Sequence, residues 1–372
     1  MLGNSFDKMV LFGVLALGLA VGGSALSHRG HQPTPVMTAT ENQDFAVRPA
    51  LARPRLPAPS LTARSPQTEP APNARSTNLL ARLINGEELP KLTLEQVESY
   101  LAANQRNAGT LLAAYQATGD KRWLQEAKEQ YPNDPSVAFT ALSKSDTPEE
   151  RRQWLDTLKR VAPDNALADY LSANDYLKAG RTDDAVRELE AAYSKPKLQD
   201  YWVERVQNAE EAYLSAGYSA AEAKAVALGS LQLPQLAQFK QLAQSVIDLA
   251  TSYRQAGDEA SAQAALQAGL NLGQRLTTGQ STAIQDLVGM AVERMALSTM
   301  DPASPYGTGG QTVQNRIDDL LQQRKSIKAL NQTAEGLLAI LPERDLVTFF
   351  DREKVFGEPP TLQWLVAKYG KQ

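Results

Sequence analysis

The sequence predicts an all-α protein whose folded part is an α-solenoid, a stack of helical hairpins. Three observations carry that expectation. A phrase recurs, a Tyr, a Gly four residues on, an Ala five beyond it and a Leu four beyond that, as Tyr176, Gly180, Ala185 and Leu189 and again as Tyr253, Gly257, Ala262 and Leu266. Apolar residues return at steps of three and four, as in Val186, Leu189 and Tyr193, the period of a helix with one buried face. At Thr93, Thr147 and Ser219 a hydroxyl residue precedes Gln96, Glu150 or Glu222 by three positions, the spacing at which the two side chains satisfy exposed amides of a first helical turn. One hairpin cannot bury its apolar face alone, so a recurring hairpin implies stacking.

Along the chain, residues 1–8 read as a short tail. Residues 9–26, MVLFGVLALGLAVGGSAL, carry no charge and approach the length needed to span a bilayer as a helix. The segment is expected to be a transmembrane helix retained as a signal anchor, because Lys8 and the terminal amine alone make a weak leader; cleavage near Leu26, after the small residues Gly23 and Ala25, is the alternative. Residues 27–78 hold nine of the 21 prolines and few large apolar residues, a composition that cannot offset the entropy of ordering, so a disordered proline-rich linker is expected. Six Arg against three acidic residues give that linker about +3, which leaves about −7 for residues 79–372 out of a total of −4.

Charge and composition exclude several functions. A nearly neutral chain gives no support for nucleic-acid binding. Cysteine is absent, which removes disulfides, thiolate ligands and cysteine nucleophiles. The only histidines, His28 and His31, stand in the linker, without the further ligands a closed metal site needs. No cofactor is expected. An enzyme would have to work with Asp and Glu alone, and the paired acids Glu149–Glu150 and Asp183–Asp184 stand at helix starts, where they complement the helix dipole. A non-catalytic protein is therefore expected, with a cryptic Asp/Glu hydrolase as the weakest alternative.

From residue 79 the pattern is helical and no sheet is needed. Gly119, Gly180, Gly217 and Gly257 each fall where a first helix would end in a left-handed turn, and small residues flank them where paired helices approach closely. Ala173, Tyr176, Gly180, Ala185, Leu189 and Ala192 resemble the signature of the tetratricopeptide repeat, as do Ala250, Tyr253, Gly257, Ala262 and Leu266; Tyr213, Gly217 and Pro234 support a weaker copy. The resemblance covers residues 94–276. The glycines are spaced irregularly, Glu210 replaces a small residue in the weaker copy, and a degenerate hairpin or insert is expected around residues 136–162. Residues 79–279 are thus read as a TPR-like solenoid and 280–372 as a helical capping region, in which 301–310 is a loop and Phe349, Phe350, Phe356 and Trp364 close the apolar end of the stack.

The resemblance implies a concave groove that captures an extended peptide or a partner helix. Its groove-facing positions map onto Tyr170, Asn174 and Lys178, then Gln207 and Glu211, then Thr251 and Arg254, and Asn174 with Lys178, one turn apart, could hold a carboxylate or a backbone carbonyl. A single anchor, a proline-rich tether and a TPR-like domain together look like bacterial envelope scaffold proteins. The expected protein is a scaffold or adaptor in the inner (cytoplasmic) membrane, with its folded domain on the periplasmic side and a protein or peptide partner. Self-assembly of the chain into a homo-oligomeric structural envelope protein is the competing expectation.

Overall fold

The computed structural model describes residues 89–370, and this part of the chain is all-α. The expected membrane anchor, residues 9–26, and the expected linker, residues 27–78, lie outside the described residues; among those described, no helix is long and apolar enough to cross a membrane.

The first run of helices is α1 (Leu94–Ala103), α2 (Ala108–Thr118), α3 (Lys121–Gln130), α4 (Pro135–Ser143), α5 (Pro148–Val161), α6 (Leu167–Lys178) and α7 (Thr182–Ser194), each packed on the next. Their starts follow local chemistry. Thr93 caps α1 in a reciprocal capping box with Gln96, Asp134 caps α4 ahead of Pro135, and Thr147 caps α5 by accepting from the Glu150 N–H at 3.1 Å. The insert expected around residues 136–162 is the hairpin α4–α5. Gly119 and Gly180 turn the chain with φ of +74° and +71°, a conformation that other residues adopt only under strain.

The second run is α8 (Trp202–Ser215), α9 (Ala220–Gly229), α10 (Pro234–Gln255), α11 (Glu259–Leu276) and α12 (Ala283–Leu297). It folds against the first: α8 lies on α2 and α1, α10 on α6, and α11 on α7. A linear stack confines contacts to neighbouring repeats. Here helices far apart in sequence share a core, and the face of α6 that a simple stack would leave open is covered by α10.

Residues 301–310, read as a loop, contain a two-residue strand, β1 (Pro305–Tyr306), paired antiparallel with β2 (Gln311–Thr312), which escapes any period because it is so short. Then follow α13 (Val313–Leu338), α14 (Glu343–Phe356) and α15 (Glu358–Tyr369). Where the sequence reading expects a cap on the last hairpin, α14 lies against α9, and Phe349, Phe350, Leu362 and Leu365 join a core that also holds Leu111, Trp123 and Tyr213. A second core runs from Phe139 through Tyr170 and Phe239 to Leu276.

One ionic cluster joins these regions. Glu210 is 5% exposed, and its two carboxylate oxygens accept from Lys224 Nζ at 2.5 Å and Lys354 Nζ at 2.6 Å, while Lys224 also donates to Asp351 at 2.6 Å. The large residue that breaks the repeat pattern at position 210 thus ties α8 to α9 and α14.

Candidate functional site

The seven residues assigned to a groove do not form one. Tyr170 and Asn174 are each 1% exposed on α6, which packs against both α7 and α10. The Tyr170 hydroxyl donates to Asn271 Oδ1 at 2.9 Å, its ring meets Phe239 edge-on, and burial pushes the phenol up to about 12. Asn174 has no hydrogen-bond partner for either side-chain polar atom, and Lys178 is exposed at the end of α6, so the two cannot together grip a ligand at the surface. Thr251 is exposed and donates to the Ile247 carbonyl of its own helix; Arg254 donates to the Thr299 carbonyl at 2.8 Å. Gln207 and Glu211 bond to each other at 3.0 Å on the open side of α8, and of the seven only Gln207 lines a cleft.

That cleft is one of two that meet at Val203 and Glu204, at the start of α8. The first, of about 360 Å³, lies between the segment 196–204 and the α11–α12 turn. The segment is extended because Asn165 pins it: the buried carboxamide donates to the Gln199 carbonyl at 2.7 Å and accepts from the Gln199 N–H at 3.0 Å, while Lys197 pairs through its backbone with Asp164 and Ala166. Tyr201 then takes φ +59°, a left-handed conformation costly for an aromatic residue, and turns the chain into α8. On the far wall, Trp202 Nε1 donates to the Gln280 carbonyl at 2.9 Å, and Gln285 is buried with its Oε1 unpartnered. Arg275 reaches the carbonyls of Ala192, Tyr193 and Lys195 and holds the end of α7 beside the opening. Asp200 accepts from Gln235 Nε2 at 2.5 Å, and burial pushes its carboxyl up against the opposing pull of Arg205.

The second cleft, of about 700 Å³, is bounded by the starts of α2 and α4, by α8 and by α14. Gly109 lies in its wall against Asn208: a Cβ there would stand 2.6 Å from Nδ2, so the Asn208 side chain would have to shift. Ser136 Oγ donates to Glu204 at 3.0 Å, and Lys354 donates to Gln207 Oε1 at 2.8 Å as well as to Glu210. Val355, on the rim, is 57% exposed, and Phe356, the next residue, is 49% exposed and stacked by Arg352 at 4.6 Å.

The first cleft is lined by Lys197, Arg275, Asp200 and Glu204, and the second by Lys354 with Asp134, Glu204 and Asp351. Asp351 and Lys354 are ion-paired within the Glu210 cluster, and Lys197 pairs with Asp164 at 2.6 Å. Among the described residues no group of three or more Asp or Glu side chains is placed to hold a metal ion. At the helix start the Trp202 N–H donates to Asp200 Oδ1 at 3.3 Å, while the N–H groups of Val203 and Glu204 have no acceptor among the described residues.

Sequence reasoning missed Val203, Glu204, Gln285 and Val355 because they come from three separated segments. One signal was available. Lys195-Pro196-Lys197 and Asp200-Tyr201 add residues between Ala192 and α8 where a regular repeat would turn directly. Comparison with protein-family models, with curated proteins and with solved structures gives no match to this chain.

Proposed function

We propose that this chain is a non-catalytic scaffold or adaptor that captures a protein or peptide partner in the groove formed by the two clefts at the start of α8. The single observation that carries the reading is continuity: Val203 and Glu204 line both clefts, so a ligand lying along one can continue into the other. Engagement of acidic side chains around the groove supports a binding rather than a chemical role there. Glu210, Asp351 and Asp164 are held in ion pairs, and Asp134 caps α4.

The hairpins are TPR-like repeats, a relation supported by left-handed turns at Gly119, Gly180, Gly217 and Gly257 and by full burial of Ala173, Ala185, Ala192 and Ala262. Residues 9–26 anchor the chain in the inner membrane, and the proline-rich stretch holds the folded part away from it on the periplasmic side.

The test is crosslinking in membranes followed by capture of the full chain. Val203→Arg and Val355→Arg, which fill the groove from exposed or half-buried positions, should abolish recovery of partners that the wild type and Thr251→Ala both retain. Equal recovery by both groove variants would remove the groove from the function. A discrete homo-oligomer by native mass, broken by the same substitutions, would support self-assembly instead; Tyr193 and Ile340, 60% and 75% exposed, are apolar surface available for that reading.

A further inference from the structure

We propose that Arg352 and Lys368, set around the Trp364 ring where α14 meets α15, bind a carboxylate side chain of a partner polypeptide. The site lies outside the groove and stands without it. Arg352 is stacked on Phe356 at 4.6 Å and on Trp364 at 4.7 Å, and Lys368 on Trp364 at 5.0 Å and on Tyr369 at 4.8 Å. Neither cation has a hydrogen-bond or ion-pair partner among the described residues. Every other ring-stacked cation there has one. Arg106 and Arg122 on Trp123 hold Glu126 and Asp120, and Lys128 on Trp154 holds Glu150. Arg181 on Tyr176 holds Asp184, and Arg316 on Tyr306 holds Glu293 through two nitrogens. Arg152 and Arg205, on Tyr176 and Phe139, donate to Ser172 Oγ and to the Gln232 carbonyl. A ring against the face and an acceptor at the edge is thus how this fold completes a stacked cation. At Trp364 the described residues supply the rings and no acceptor.

The Arg352 guanidinium is held ready. Its Nε is enclosed and two rings fix its plane, while its terminal nitrogens stay at the surface, so little side-chain entropy is lost when an acceptor arrives. The acids nearest in sequence are engaged elsewhere: Asp351 with Lys224 and Lys354, Glu353 in the interior, and Glu358 with the Ala283 N–H. Two parallel N–H donors match the two oxygens of one carboxylate, and Lys368 adds a second positive charge on the same ring. Val355 and Phe356, 57% and 49% exposed, follow Arg352 on α14 and offer apolar surface to a neighbouring side chain of the ligand. A free phosphate has no use for that surface. The ligand class is therefore an acidic residue with apolar neighbours, in an exposed segment of a separate protein.

The probe is acetyl-photoleucine-Glu-Leu-amide, irradiated with the full chain in detergent, its label located by peptide mapping. Label should concentrate in residues 352–356 and 364–369. The unlabelled acetyl-Leu-Glu-Leu-amide should compete about three- to tenfold better than acetyl-Leu-Gln-Leu-amide, the value of one charge-assisted contact at a partly exposed site. Arg352→Gln should abolish that ratio. Lys368→Gln, at an exposed position on α15, should narrow it, and this variant and the wild-type ratio decide the matter even where Arg352→Gln disturbs the stacked rings. Equal competition by the Glu and Gln peptides on the wild type, or label spread away from the α14–α15 corner, would overturn the site. Inorganic phosphate that displaces the label at lower concentration than the Glu peptide, with ionic strength held by chloride, would assign the cations to a phosphate and overturn the polypeptide ligand.

Discussion

Gly273 and Gly289 face each other across α11 and α12 at a distance that admits no side chain. A Cβ on Gly273 would stand 2.6 Å from the Glu293 backbone nitrogen and 2.9 Å from the Gly289 carbonyl; one on Gly289 would stand 2.7 Å from the Gly273 carbonyl. The pair sets how closely these helices pack, and with them the α11–α12 turn that forms one wall of the first cleft.

Gly273→Ala should therefore destabilise the protein. Replacing glycine inside a helix ordinarily gains about 0.5–1 kcal/mol, but displacing backbone from a packed contact costs about 1–3 kcal/mol, and the second effect wins. Gly336→Ala, on α13 with nothing within 4 Å, should show the ordinary gain. Urea midpoints that move the same way for both would contradict the close approach.

Glu210→Ala should cost about 1.5–3 kcal/mol, because it removes the buried carboxylate that Lys224 and Lys354 share and leaves them only the half-exposed Asp351. Arg187→Ala should change stability by less than about 1 kcal/mol, since its pair with Asp184 is on the surface and water screens it. Denaturant titration of the two variants gives the comparison, and equal losses would show that the cluster carries no special weight.

Stability should rise on mild acidification. At the corner where α14 meets α15, burial pushes Asp286 up to about 6 and Glu358 up to about 7, and it pushes Glu353 well above the usual carboxylate range, with the neighbouring carboxyl adding to the effect for both glutamates. Each group holds its proton more tightly folded than unfolded, so the folded state loses stability as pH rises from about 4 through about 7. The carboxylates that ion pairs lower, Glu126 beside Arg106 and Glu150 beside Lys128, lose their contribution only below the ordinary carboxylate range. Urea unfolding at pH 5.5 and pH 8 should show greater stability at pH 5.5, by on the order of a few kcal/mol. Asp286→Asn with Glu358→Gln should flatten that difference, the Gln still accepting from the Ala283 N–H that Glu358 now holds at 2.7 Å. An unchanged slope in the double variant would move the titration elsewhere.

Asn174→Leu should stabilise the protein by about 1–2 kcal/mol. The branch point is the same in both side chains, and the substitution removes two buried polar atoms that have no partner. Thermal unfolding reads the change directly. A loss would indicate that the carboxamide is satisfied in solution and that the site has no room for two methyl groups.

Much of the local structure was legible in advance. The hydroxyl residues Thr93, Thr147 and Ser219 cap α1, α5 and α9, and all four turn glycines have positive φ, because caps and left-handed turns depend on side chains within a few residues of one another. The repeat positions Ala173, Ala185, Ala250 and Ala262 are buried as their spacing implies. The groove was not legible. Periodicity marks which face of α6 is apolar or small, but the partners that meet Tyr170 are Phe239 of α10 and Asn271 of α11, brought there by the second run of helices folding back on the first.

By itself, then, the chain's sequence determined an all-α fold, the helix starts and the turns, since these follow from interactions among near neighbours. Only the tertiary structure decided which helices meet, that Glu210 faces Lys224 and Lys354, and that Val203 borders one cleft with Gln285 and another with Val355. Those contacts join residues far apart along the chain, and they depend on how apolar faces of comparable width pair off to exclude water, a choice that helical period and capping leave open.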